Sequence, residues 1–385
     1  MVSEVRRVVG VALLLAWLAP SWVVAAGPGE VRPPATAPRE PFVSAIVVER
    51  ETGQVLFEEN ADQPWPPASI VKMMTALVAL EAVEANKVAL TDPVRISRHA
   101  AAMGGSQVYL AEGEIFPLGV LLEAVLVASA NDGSVAVAEH VGGSVEAFIE
   151  RMNQRAEELG LTATTLHSVH GLPPGVGQDV DRMSARDLAT VARALLAHPA
   201  ARDWTGTSEA PFRGGAFLMR NHNRLLRTMP GAYGVKTGFT AASGFQMAAA
   251  AQRDGLDLIA VVLGVPGKGS SFERARELLE KGFREWVSVH PVRAGAPIGT
   301  RVPVAGGTRG IVRGRAVRDL HLLLPRAEAR AISIEVRLPG QLEAPVAEGQ
   351  EIGEVIVRRG DKVLAQVPVV ADRQVKQAGW LSRFW

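Results

Sequence analysis

The chain has 385 residues, 48% of them hydrophobic and 21% charged, which is enough apolar material for more than one core and too much for a disordered polymer. Lys plus Arg number 41 against 40 for Asp plus Glu, a formal charge of +1, so there is no overall electrostatic case for nucleic acid as a partner. The absence of cysteine removes disulfides, thiolate metal sites, cysteine nucleophiles and a lipidated cysteine together.

Arg6 and Arg7 precede an apolar run over residues 8–19, and Trp22–Ala26 ends in small residues. The run is shorter than the roughly 18 residues a bilayer span needs. Residues 1–26 therefore read as a cleaved secretory signal, which places the mature protein in the periplasm or at the outer face of the cytoplasmic membrane. Residues 27–41 are rich in Pro and read as a linker. Phe42–Arg50 and Gln54–Asn60 flank Glu51-Thr52-Gly53 as the two strands of a hairpin. From Ser69 to Val83 apolar residues surround the axis at helical spacing, which predicts a buried helix. Amphipathic stretches rich in Ala, Leu and Glu, from Phe116 to His198, predict a mostly helical region. Phe245–Gly264 predicts two strands that turn at Arg253-Asp254-Gly255, and Phe272–Val287 a closing helix.

After His290-Pro291 the texture changes to short strand-like runs separated by Gly and Pro. The expected organisation is an α/β domain over residues 42–290, a small β-sandwich-like domain over 291–371 and an amphipathic helix over 372–385. On that helix Val375, Ala378, Leu381, Phe384 and Trp385 share a face, with Trp380 at its margin and Lys376 and Arg383 opposite. Such a helix suits a membrane interface and is too short to span.

Three polar clusters interrupt apolar segments. Ser69 and Lys72 stand three apart and project from one helix face. They read either as a helix start with a solvent-reaching charge or as a nucleophile with its proton acceptor, since a lysine buried without compensation is driven toward neutrality. Ser129-Ala130-Asn131-Asp132 could be an interhelical turn, and Lys236-Thr237-Gly238 a strand edge leading to a turn. The eight His show no H-x-x-x-H pair, so neither a metal nor a cofactor is expected.

In this order the clusters match the S-x-x-K, S-x-N and K-T-G set of class A β-lactamases and penicillin-binding proteins. Their surroundings, ASIVKMMTALVA, ASANDGSVAVAEH and GAYGVKTGFTAASGFQMAAAA, resemble the D-alanyl-D-alanine carboxypeptidase family, the low-molecular-mass penicillin-binding proteins of serine peptidase family S11. The resemblance spans Phe42–Val287, and the β-rich tail is similar to that family's second domain and anchor. It implies a penicillin-binding/β-lactamase-like transpeptidase fold, an antiparallel sheet packed by helices with a mostly helical subdomain, followed by a small all-β domain.

It also implies a set of roles. Ser69 would be acylated by the penultimate D-alanine of a peptidoglycan stem peptide, with Lys72 taking its proton and Ser129 relaying one to the leaving D-alanine. Asn131 would hold the substrate amide and Lys72. Lys236 and Thr237 would bind the terminal carboxylate, and Gly238 would keep the strand edge open. The main-chain N–H groups of Ser69 and Phe239 would form the oxyanion hole, and β-lactams would be covalent inhibitors. The family commonly has His at the position of Phe239. Two further departures are His222 and Ser271, each standing where arginine is usual, with Arg274 or Lys268 as possible replacements. A class A β-lactamase would need a glutamate in an E-x-x-L-N setting, which Glu157 and Glu158 do not provide. The remaining alternatives are a DD-endopeptidase that cuts cross-links and a non-catalytic penicillin-binding scaffold.

Overall fold

The computed structural model describes residues 41–379 apart from 176, 178 and 268. The leader, nearly all of the linker, Lys268 and residues 380–385 lie outside that set. Contacts divide the described chain into two units after Arg284.

The first unit is built on a five-stranded sheet of β1 (Ser44–Glu49), β2 (Val55–Glu59), β3 (Ala232–Thr240), β4 (Gly244–Arg253) and β5 (Leu256–Val265), in the spatial order β2-β1-β5-β4-β3. Every neighbouring pair is antiparallel. The hairpin of β4 and β5 turns at Asp254 and Gly255, whose φ values of 50° and 77° are left-handed, as a tight two-residue β-turn requires. Helix α1 (Lys72–Glu84) has Met73, Met74, Ala76 and Leu77 without exposed surface. It is apolar all round because it is covered all round, and its side chains share one core with those of α2 (Leu118–Val127) and α3 (Asn131–Gly142). The helix expected from Ser69 has a two-part start: a 3-10 turn, Ala68–Val71, leads into α1, which begins at Lys72. The unit closes with a helix over Ser270–Glu285.

The second unit is almost wholly β. One sheet holds Ile332–Arg337, Glu351–Arg359, Lys362–Ala371, Ile311–Ala316, Pro297–Ala305 and Leu342–Glu343 in that spatial order, and Trp286–Val292 pairs with Leu320–Pro325 in a separate ribbon. Residues 372–379 correct the expectation of a helix starting at 372. Val375 pairs with Val346 and Gln377 with Gly307 in isolated bridges, and Val375 has no exposed surface. Its side chain joins the core with Val304 and Val346, so it is not available to a membrane-facing stripe. The main-chain bonds exchanged by Val346 and Val375, both 2.8 Å, satisfy groups that a helix would have paired internally. Among the described residues no helix is long and apolar enough to cross a membrane.

Candidate active site

The turn that carries Ser69 is set by backbone. Ala68 takes a left-handed φ of 48°, a conformation uncommon outside glycine, and two glycines from distant parts of the chain press against it. A Cβ on Gly171 would stand 2.0 Å from the Ala68 carbonyl oxygen, and one on Gly238 would stand 2.9 Å from the Pro67 carbonyl oxygen and 3.3 Å from the Ala68 Cβ. Gly238 thus does more than leave a strand edge open. It lets β3 lie directly on the Ser69 turn.

Lys72 is fully buried, and its Nζ donates to Ser69 Oγ at 2.9 Å and to the His170 carbonyl oxygen at 2.8 Å. The loop that supplies this carbonyl is itself fixed. Asp181 accepts from the main-chain N–H groups of His167 and Ser168 and from Ser168 Oγ, while Thr75 on α1 donates to the Val169 carbonyl. Ser129 sits between α2 and α3 with a left-handed φ of 60°. Lys236 Nζ donates to Ser129 Oγ at 2.9 Å and to the Thr237 carbonyl at 3.2 Å. Asp132, three residues after Ser129, is buried and accepts from Val108 N and Leu110 N, so it serves to hold the neighbouring loop.

The structure therefore brings two Ser–Lys pairs together from three separate elements. Asn131 is placed differently from the expectation: its Nδ2 donates to the Gly104 carbonyl at 2.6 Å, and its buried Oδ1 has no protein partner. It makes no hydrogen bond to Lys72. An orphaned buried acceptor costs about 1–3 kcal/mol, a cost that an incoming N–H donor would remove.

Burial, and after it the charge of Lys236, pushes the Lys72 ammonium well below its ordinary pKa, against the opposing pull of Asp132 and Asp181. Burial alone holds Lys236 down to about 7. Neither amine has a carboxylate at hydrogen-bond distance, and an amine so placed is a proton acceptor rather than a fixed charge.

Ser69, Ser129, Thr237, Gly238 and Phe239 line an open cleft of about 480 Å³. Phe239 is 54% exposed and stacks on Phe245 with ring centroids 4.2 Å apart, forming an apolar wall where an imidazole was the family expectation. His222 faces the same cleft. The residue is exposed, yet desolvation, then Lys236 and Lys72, lowers its pKa to about 4, so it is neutral near pH 7. Ser271 also lines the cleft but is nearly buried.

Arg274 does not replace the missing guanidinium. It pairs with Glu277 and lies over the Phe42 ring, away from the cleft. The cleft's guanidiniums are instead Arg224 and Arg227, and no Asp or Glu lines it among the described residues. Sequence reasoning passed over both. The available signal was their spacing after Asn221 and Asn223, two buried side chains that shape this segment: Asn221 Nδ2 donates to the Thr207 carbonyl at 3.0 Å and Asn223 Nδ2 to the Gly234 carbonyl at 2.7 Å. Asn223 thereby ties the arginine-bearing turn to β3.

Residues 35–267 match the sequence profile of the family described as D-alanyl-D-alanine carboxypeptidase, peptidase S11. The chain belongs to this family. Residues 286–377 match a second profile, the C-terminal domain of penicillin-binding protein 5, so the family resemblance extends through the β unit. Among curated relatives, the D-alanyl-D-alanine carboxypeptidase DacF of Bacillus subtilis is 34% identical over 343 residues, 88% of this chain and 87% of that protein. Penicillin-binding protein 5 of Haemophilus influenzae superposes with a TM-score of 0.69 at 28% identity, covering 89% of this chain and 100% of that one. Penicillin-binding protein D2 of Listeria monocytogenes, solved in an ampicillin-bound form, superposes at 0.57 with 29% identity over 63% of this chain and 97% of that one. This family member thus shares its fold with solved relatives, and the profile match over residues 35–267 contains both Ser–Lys pairs.

Proposed function

We propose that this protein is a serine D-alanyl-D-alanine carboxypeptidase that removes the terminal D-alanine from peptidoglycan stem pentapeptides through a Ser69 acyl-enzyme. The observation that carries the reading is Lys72, buried without a hydrogen-bonded carboxylate, 2.9 Å from the Ser69 hydroxyl and held toward neutrality by burial and by Lys236. Ser69 Oγ attacks the carbonyl carbon of the penultimate D-alanine as its proton passes to Lys72. The N–H groups of Ser69 and Phe239 receive the oxyanion. The C–N bond then breaks as the leaving amine takes the proton that Lys72 had accepted, relayed through Ser129, whose Oγ Lys236 holds at 2.9 Å, and Lys72 is neutral again. Water hydrolyses the ester and restores Ser69. Asn131 offers its unpaired Oδ1 to a substrate amide. The terminal carboxylate is received by Thr237 and Lys236 together with Arg224 and Arg227, whose charge is permanent where that of Lys236 is not. No step calls for a metal or cofactor.

A β-lactam carries an acylating carbonyl and a carboxylate at comparable positions, so it should acylate Ser69 as well, as the ampicillin-bound relative suggests. Export follows from residues 1–26 read as a leader. Contact with a membrane surface now rests on Trp380, Leu381, Phe384 and Trp385, because Val375 belongs to the β core.

The deciding experiment incubates purified protein with labelled benzylpenicillin and maps the adduct by mass spectrometry, then measures D-alanine released from a pentapeptide beside cleavage of a cross-linked dimer. A label on Ser69 and release of free D-alanine are expected. Absence of a Ser69 adduct would remove the mechanism, and cleavage of the dimer alone would convert the enzyme into an endopeptidase.

A further inference from the structure

The ribbon of the second unit holds a pair of histidines that the reaction above does not use. Trp286–Val292 runs antiparallel to Leu320–Pro325, with Ser288 opposite Leu323 and Val289 opposite Leu322, and the register shifts between Val289 and Val292. His290 lies in that irregularity. Ser288 and His290, two residues apart, stand on one face of their strand, and His321 meets them from the partner strand. The two imidazole rings are parallel within 2°, with centroids 4.6 Å apart. Both turn Nε2 to the same atom: Ser288 Oγ lies 3.0 Å from His290 Nε2 and 2.7 Å from His321 Nε2. His290 is exposed and His321 half-buried.

The hydroxyl has one hydrogen, so it donates to one of the two nitrogens and accepts from the other; a divalent ion, which sits about 2.0–2.1 Å from each imidazole nitrogen, can take its place once the two rings turn out of their parallel stack about their side-chain torsions. The hydroxyl that now bridges them can rotate away, since a serine side chain has a single torsion to adjust. Among the described residues no cluster of three or more His, Cys, Asp or Glu is arranged for a metal, so a site here has two protein ligands and leaves its other positions to water. Neutral imidazole with no carboxylate selects copper, nickel and zinc over calcium and magnesium, which demand oxygen ligands. Neighbouring antiparallel strands hold the two ligands at fixed separation, so little chain entropy is lost when an ion is gripped.

We propose that His290 and His321 form a surface site for a divalent transition-metal ion, one per chain, on the ribbon of the β unit. The site is separate from the Ser–Lys cleft in sequence and is not needed for acylation.

Isothermal titration of the full mature protein with Zn²⁺, and separately with Ni²⁺, tests it, using His290→Ala, His321→Ala, Ser288→Ala and His99→Ala beside the unaltered chain. One ion per chain is expected, with affinity lowered at least about tenfold in each of the two ribbon histidine variants. Loss of even an outer-shell partner costs roughly 10–100-fold, and a direct ligand should cost no less. Ser288→Ala and His99→Ala should bind as before, and Mg²⁺ should give no heat. Circular dichroism confirms that each variant remains folded; should one of the alanine variants unfold, His290→Gln and His321→Gln serve in its place. Titrations that show no saturable binding, or binding that survives loss of either histidine, overturn the site. A ratio of one ion to two chains also overturns it, since that ion would bridge copies rather than the two strands.

Discussion

Replacing Lys236 by methionine should change stability in a way that isolates the amine's environment. In the unfolded chain this lysine titrates near 10.5 and in the fold at about 7. At about 1.4 kcal/mol per tenfold change in proton affinity, that gap corresponds to roughly 5 kcal/mol of burial penalty on the charged form. The sign follows from proton counting. Between pH 7 and 10.5 the unfolded chain binds more protons at this site than the native one, so native stability rises with pH across that window. Below pH 7 both states are protonated and the full penalty applies. Lys236→Met should flatten the rise by up to about 1.4 kcal/mol per pH unit. Near pH 7 it should gain a smaller net stability, because Ser129 Oγ loses its 2.9 Å donor and an unpaired buried hydroxyl costs about 1–3 kcal/mol. Urea melts of both proteins at half-unit pH intervals from 6 to 10 supply the comparison, and acylation by penicillin should fall steeply in the variant. Parallel stability curves for the two proteins would refute the argument, for they would mean that Lys236 is as well solvated folded as unfolded.

Other consequences can be checked singly. Arg224→Gln and Arg227→Gln should each lower kcat/KM for a peptide with a free C-terminal carboxylate about tenfold, as expected for loss of one charge-assisted contact. Because both arginines are exposed, the melting temperature should stay within about 2 °C. Gly238→Ala would bring a methyl group within 2.9 Å of the Pro67 carbonyl oxygen; loss of roughly 1–3 kcal/mol in stability and a fall in acylation rate that exceeds any change in peptide KM are expected. Val375→Asp places a carboxylate where no surface is exposed and should cost several kcal/mol or unfold the β unit, measured by the near-UV signal of that unit; an unchanged melt would return Val375 to a solvent- or membrane-facing position.

Much of the catalytic unit was legible because its signals are local. The Asp254-Gly255 turn, the apolar run of α1 and the three polar clusters each stand out within a dozen residues. What the sequence hides is made between distant segments. The His170 carbonyl that shares Lys72 with Ser69 is a main-chain group, invisible as a residue type, and comes from a loop 98 positions away. Arg224 and Arg227 look like ordinary surface cations until Asn223 fastens their turn to β3. The tail misled for another reason. A stretch of eight residues with one dominant apolar side chain fits helical and extended periodicities equally well, and only the bridge to Val346 decides between them.

The crowding of Gly171 and Gly238 against Ala68 has a mechanical consequence. Because the nearest atoms to both glycines are main-chain carbonyl oxygens, the serine's support has little room to yield, so it works as an anvil. Accommodation of different acyl groups then falls to the cleft wall that carries the exposed side chains of Arg224, Arg227 and Phe239. Changes of preference among relatives with the same Ser–Lys geometry should accordingly map to that wall, while the anvil tolerates almost nothing larger than glycine at its two points of contact.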